Sequence, residues 1–144
     1  MTWKELQELP TDKTVLFLTF APIEEHSHHL PLGVDIILGE NWKEKTIKQL
    51  TEKHQDFNIL TMPPIPFADG SIKGFPGNLH IKQKTIFRVA YEILKNIHSW
   101  GIQNIIIIAS HGEPKHLIAI EEACDKINKK YGTCAMSPMG AFFS

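Results

Sequence analysis

From Thr14 to Ala21 the chain runs Thr-Val-Leu-Phe-Leu-Thr-Phe-Ala, a short apolar segment behind the turn-like Pro10–Lys13, and it predicts a strand buried on both faces. After a turn at Pro31-Leu-Gly33, the apolar residues Ile36, Ile37, Trp42, Ile47 and Leu50 recur at roughly helical spacing and predict a helix over 36–53. Phe57–Met62 predicts a second strand, stopped by Pro63-Pro64, and the Pro/Gly-rich stretch from Ile65 to Gly77 reads as an irregular pocket wall. Between Lys82 and Trp100, residues Ile86, Val89, Ala90, Ile93, Leu94 and Ile97 trace one helical stripe, closed by Gly101. Asn104–Ala109 predicts a buried strand, 114–130 a helix with Pro114 in its first turn, and 133–136 a last strand. Strands alternating with helices place the chain in the α/β class, with a mostly parallel sheet flanked by helices and ligands gathering beyond the strands' carboxyl ends.

Composition narrows this picture. The 144 residues, 42% of them hydrophobic, suit one domain spanning 1–144 with a core of its own. A net charge of -1, from 15 basic and 16 acidic residues, offers no electropositive field for nucleic acid. Met1–Pro10 is charged throughout and does not resemble a secretion signal, and the longest apolar run, Ile102–Ala109, is too short for a bilayer, so a cytoplasmic protein without membrane contact is expected. Cys124 and Cys134 lack a CxxC spacing and read as reduced core or near-core residues. Trp3, Trp42 and Trp100 read as core or interface anchors.

The chemistry concentrates at two predicted strand ends. Glu24 and His26, two apart in an extended segment, point the same way, and Asp35 returns from the following turn; His111 and Glu113 repeat the two-residue relation at another strand end. Three carboxylates and two imidazoles suit two divalent ions, zinc and/or manganese with iron also admitted by the donor set, and Asp35 is the natural bridge because a carboxylate has two oxygens. Such ions would supply an ionised water near neutral pH, at about pKa 7, and polarise a substrate carbonyl. Taken alone, each cluster has a plainer meaning: His26-Ser-His-His29 as a polar loop, and His111-Gly-Glu113 as a helix entry favoured by the macrodipole. His28, His29 and His116 are read as supporting or surface residues rather than ligands, while His54, His80 and His98 are expected to face solvent. Asp69–Gly77 is either a donor of amides and the Ser71 hydroxyl to a substrate or a simple connector.

At these residues the chain resembles the creatininase (creatinine amidohydrolase) family. Glu24-Glu-His-Ser-His-His-Leu-Pro-Leu-Gly-Val-Asp35 is similar to the family's Glu-Gln-His-Gly-x-His-Leu-Pro-x-x-Thr-Asp signature. Pro64–Ser71 with Phe75-Pro-Gly77, and Ser110-His-Gly-Glu113, follow in the family's order. The resemblance implies a three-layer α/β/α sandwich and a dinuclear site in which Glu24, Asp35 and His111 hold one ion and His26, Asp35 and Glu113 the other. It also implies hydrolysis of an amide or lactam in a small molecule, creatinine-like or a formylamino-pyrimidine, by a homo-oligomer, often a hexamer. Ser71 falls near a substrate contact, and Lys73 suits a phosphorylated substrate. Glu25, Ser27, Val34 and Ala109-Ser110 depart from the family's Gln, Gly, Thr and Asn-Gly. Family members are substantially longer and bring a catalytic histidine from the further portion, so proton transfer here falls to Glu113 or to His28 or His29. The competing expectation is a truncated or split metal-binding module that needs a partner chain, prompted by the apolar Phe142 and Phe143 close to Ser144.

Overall fold

The computed structural model of the chain describes residues 1–70 and 73–142. Four strands, β1 (Thr14–Phe20), β2 (Asn58–Thr61), β3 (Asn104–Ala109) and β4 (Cys134–Met136), alternate with helices α2 (Val34–Lys53), α3 (Gln83–Ser99) and α4 (Pro114–Tyr131), after a short helix α1 (Trp3–Gln7). The sheet order is β2-β1-β3-β4 and each of the three pairs is parallel, so the sheet expected to be mostly parallel is entirely so among the described residues. Parallel strands need crossover connections, and helices provide them on both faces.

Alternation along the strands decides which helix each face meets. Leu16, Leu18 and Phe20 of β1, with Ile105, Ile107 and Ala109 of β3, join the core that α3 and α4 complete. The α3 stripe predicted from spacing is realised as Ile86, Ala90, Leu94 and Ile97, all fully buried, and each large member contributes about 1.5–3 kcal/mol of burial energy. On the other face Thr19 and Ser110 lie under α2 at Gly39. All seven residues of β1 are buried. The result is the three-layer α/β/α sandwich.

Several local expectations are corrected. α1 was not anticipated, although Thr2 and Glu5 form a capping box, with the Glu5 N–H donating to Thr2 Oγ1 at 3.3 Å. α2 begins at Val34, which puts Asp35 inside the first turn, where the helix dipole favours a carboxylate. Trp3, Trp42 and Trp100 lie on the surface rather than in the core, and Cys134 is exposed. Cys124 is buried as expected, and burial pushes its thiol up to about 12. His98 is half-buried with its ring 4.7 Å from that of Tyr131, because α3 and α4 pack over it. No described helix is long and apolar enough to cross a membrane.

The seat of α2 controls the site. Ser110 Oγ donates to the main-chain carbonyl of Asp35 at 2.7 Å, tying the end of β3 to the first turn of α2. A Cβ at Gly39 would fall inside the contact distances of Ser110 and Thr19. Replacing a mid-helix glycine by alanine ordinarily stabilises by about 1 kcal/mol. Here Gly39→Ala is expected to destabilise by about 1–3 kcal/mol, because overpacking lifts α2 off the sheet; denaturant titration of the variant against the wild type measures the sign.

Candidate metal centre

Glu24 lies just past β1, Asp35 in the first turn of α2, and His111 just past β3. Neighbouring parallel strands bring these ends together, since β1 and β3 run in register as far as Phe20 opposite Ala109. One ligand atom from each of Glu24, Asp35 and His111 lies within 4.8 Å of the others. All three side chains are at most 10% exposed. Glu24 is held in place from behind by its own N–H, which donates to the Leu32 carbonyl at 3.0 Å.

Each of the two histidines is flanked by acceptors. His111 Nε2 lies 3.2 Å from the Asp69 carbonyl, and Nδ1 points between Asp35 Oδ2 at 3.1 Å and Glu24 Oε2 at 3.7 Å. His26 is placed the same way, with Nδ1 3.0 Å from the Glu24 carbonyl and Nε2 3.2 Å from Asp35 Oδ1. A neutral ring has one proton for two acceptor neighbours, so one of its nitrogens is left as a lone pair aimed at an oxygen. Acceptors facing acceptors require a proton or a metal cation between them, so this donor set fits divalent ions, with one oxygen of Asp35 turned toward each imidazole. An imidazole whose other nitrogen is bonded to a carbonyl is also the usual arrangement around a bound metal.

Of the residues expected from sequence, Glu24, Asp35 and His111 therefore meet, and His26 joins them through Asp35. Glu113 lies outside the 4.8 Å group; it is the N-cap residue of α4, half-buried, and its side chain makes no capping hydrogen bond. His28 is exposed in the turn after His26 and borders a hollow of about 470 Å³ with Glu25, Ser27, Phe75 and Pro76. Lys73 is exposed, and Ser71 lies outside the described residues. Ser27, where the family carries glycine, has φ +64°, a left-handed conformation costly for a residue with a side chain. The Glu25 carboxylate steadies it by accepting the Ser27 N–H at 2.9 Å.

Two residues take on roles that spacing did not indicate. His116, read as supporting or surface, is completely buried, with its ring 5.6 Å from that of His111 and neither nitrogen in a formed hydrogen bond. Burial first, and the neighbouring His111 second, lower its pKa to about 4 against a smaller opposing pull from the Phe20 carbonyl, so the ring is neutral. Asp69, read as part of a connector, is buried; besides holding His111 through its carbonyl it accepts the Gln83 N–H at 2.8 Å and faces His80 Nδ1 at 3.7 Å. His80 is exposed, as expected, with its Nδ1 turned toward that carboxylate. A signal for Asp69 existed in its place before Gly70, but its partners come from separate segments.

With this geometry established, the comparisons are informative. The family model described as creatininase, creatinine amidohydrolase, matches residues 1–143. The creatinine amidohydrolase of Pseudomonas putida is 23% identical over 120 residues, covering 78% of this chain and 44% of that protein. Among solved structures, a manganese creatininase superposes with a TM-score of 0.73 at 21% identity, covering 97% of this chain and 57% of its own. A zinc–zinc form of a creatininase variant gives 0.75 at 19% identity, covering 100% and 58%. At these identities the structures show the fold. The chain spans about half the length of these relatives.

The metal-free site makes a pH prediction. Burial lowers the pKa of His111, but the Asp35 hydrogen bond, the Glu24 and Asp35 charges and the Asp69 carbonyl outweigh it, leaving the pKa raised above 6.5. A raised folded pKa contributes stability that is fully present below the unfolded value and is lost as pH rises through the folded value. The stability advantage of metal-free wild type over metal-free His111→Ala is therefore expected to shrink as pH rises from 6.5 through that raised pKa, as followed by denaturant titration at successive pH values.

Proposed function

Because the chain belongs to the creatininase family, we propose that it is a metal-dependent amidohydrolase whose site holds two divalent ions on Glu24, His26, Asp35, His111 and Glu113. The observation that carries this is the Asp35 carboxylate, which turns one oxygen to each of two imidazoles already committed to main-chain carbonyls. When bound, zinc, manganese or iron would supply Lewis acidity toward a carbonyl and toward water.

The chain's own residues do the rest. His26 and His111 are each held from behind by a main-chain carbonyl, so the nitrogen facing Asp35 keeps a fixed direction and no ring has to turn before it can act. Glu113, whose carboxylate is not used to cap α4, takes the proton of the attacking water. His28, at the hollow beside Phe75 and Pro76, delivers a proton to the leaving nitrogen. Lys73 and Ser71 contact the substrate, an amide or lactam of a small molecule; Lys73 suits one bearing a phosphate. We place the protein in the cytoplasm, consistent with two free thiols, and as a homo-oligomer, consistent with the exposed Ile37 and Leu38 of α2.

Metal analysis after reconstitution is expected to give two ions per chain in the wild type and a marked loss in Glu24→Ala and His111→Ala. Unchanged metal content in both variants would refute the site. Hydrolysis assayed across small cyclic and formylated amides tests the reaction, and a dinuclear chain that turns over none of them sinks the catalytic part.

A second possibility is favoured by one observation: a groove of about 610 Å³ on the α2 side of the sheet, where Trp42, Ile108, Pro138 and Met139 line open space. Among the described residues, α3 and α4 cover the opposite face and α2 packs on this one. A partner polypeptide seated there would complete the sandwich of a chain that spans about half of its relatives' length. On this account the metal-loaded chain alone is inactive, and light scattering shows self-association through the open groove. A well-behaved active monomer would exclude it.

A further inference from the structure

The segment Ala68-Asp69-Gly70 runs between the amino end of α3 and the carboxylate–imidazole cluster, and it is fastened on both sides. Toward α3, Ala68 forms an isolated parallel bridge with His80, and its carbonyl accepts the Ile81 N–H at 3.0 Å. Asp69 Oδ2 accepts the Gln83 N–H at 2.8 Å, and Oδ1 lies 3.7 Å from His80 Nδ1. The α3 N-cap residue, Lys82, gives no side-chain cap, so Asp69 supplies one from 14 residues away. A carboxylate there is favoured both by the unpaired N–H groups and by the helix dipole.

Toward the cluster, the same segment touches two residues of the metal-competent triad. The Asp69 carbonyl receives the His111 Nε2 proton at 3.2 Å. A Cβ at Gly70 would lie 2.7 Å from Glu24 Oε1, so the missing side chain is what lets Glu24 reach the site. Asp69 is 7% exposed, and its side chain and its carbonyl serve opposite ends of this linkage.

We propose that Asp69 is a positioning residue. Its carboxylate, anchored on the α3 N-terminus and facing His80, fixes the backbone whose carbonyl accepts the His111 Nε2–H, and so orients the ring with Nδ1 toward Asp35 and Glu24. Asp69 itself touches neither substrate nor metal. This rests on the metal-dependent function proposed above, but the Nε2–H hydrogen bond is a property of the metal-free protein and is measured without it.

The test compares wild type, Asp69→Ala and Asp69→Asn by proton-detected nitrogen-15 NMR of the metal-free proteins at pH 6, and by zinc affinity against a competing chelator. Wild type is expected to show a His111 Nε2–H proton that exchanges slowly with solvent, as one held by a buried carbonyl does. Asp69→Ala is expected to lose that protection and to bind zinc about 10- to 100-fold more weakly, the usual penalty for losing a partner behind a metal ligand. Asp69→Asn keeps an oxygen for the Gln83 N–H and is expected to restore both. Should Asp69→Ala fail to fold, Gln83→Pro removes the donor while leaving Asp69 in place, at a first helical position where proline is tolerated, and is expected to shift both readouts the same way. A folded Asp69→Ala or Gln83→Pro protein with wild-type Nε2–H protection and zinc affinity overturns the proposal. A wild type that binds no zinc but protects the Nε2–H in an Asp69-dependent manner would sink the metal function and leave the positioning role standing.

Discussion

Asp35 carries its carboxylate between two imidazole nitrogens, 3.2 Å from His26 Nε2 and 3.1 Å from His111 Nδ1, with the Glu24 carboxylate 3.7 Å from the same His111 nitrogen. Each ring has a main-chain carbonyl at its other nitrogen, so acceptors stand on both sides of it. Unit charges 4 Å apart interact by about 4 kcal/mol at the effective dielectric of a protein surface, so adjacent carboxylates and lone pairs in a nearly buried cluster create a strong demand for positive charge. A proton on His111 meets that demand in part, as its raised pKa records. A divalent cation held by Glu24, Asp35 and His111 would meet it more fully.

The fold exists around that cluster in a concrete sense. Parallel pairing of β1 with β3 aligns their carboxyl ends, and α2, leaving the loop after β1, must pass close above both strands to bring Asp35 into the gap. Close passage depends on Gly39 lying over Thr19 and Ser110, and the Ser110 hydroxyl fixes the first turn of α2 by donating to the Asp35 carbonyl at 2.7 Å. Errors of even an ångström at α2 would separate Asp35 from one of its two imidazoles.

Features that stability alone would not favour gather at the same end of the sheet. His116 is a completely buried imidazole beside the Phe20 carbonyl, and it packs its neutral ring edge-on against His111. Ser27 keeps a left-handed backbone where glycine would sit without strain. Such departures cluster at functional sites because the surrounding structure holds them against their local preference.

Much of this was legible in the chain. The continuous apolar runs of β1 and β3 and the stripe Ile86, Ala90, Leu94, Ile97 carry the α/β class, and the paired spacings Glu24/His26 and His111/Glu113 mark candidate ligands, because side-chain direction follows directly from local backbone period. The Thr2/Glu5 capping box is equally local. By contrast, His116 carries helical spacing that says which residues share its face but not that His111 and the sheet close over it. Asp69 sits in a loop whose partners, Gln83, His80 and His111, lie 11 to 42 residues away, as their numbering shows, and a hydrogen bond between such segments has no signature in either one. The sequence by itself determined the four strands, the three long helices, their order and the residue types that could serve as ligands, since those depend on neighbours a few residues apart. Only the tertiary structure decided which nitrogen of each histidine faces Asp35 and what stands behind it, since a ring is oriented by the carbonyl that folding brings to its far side.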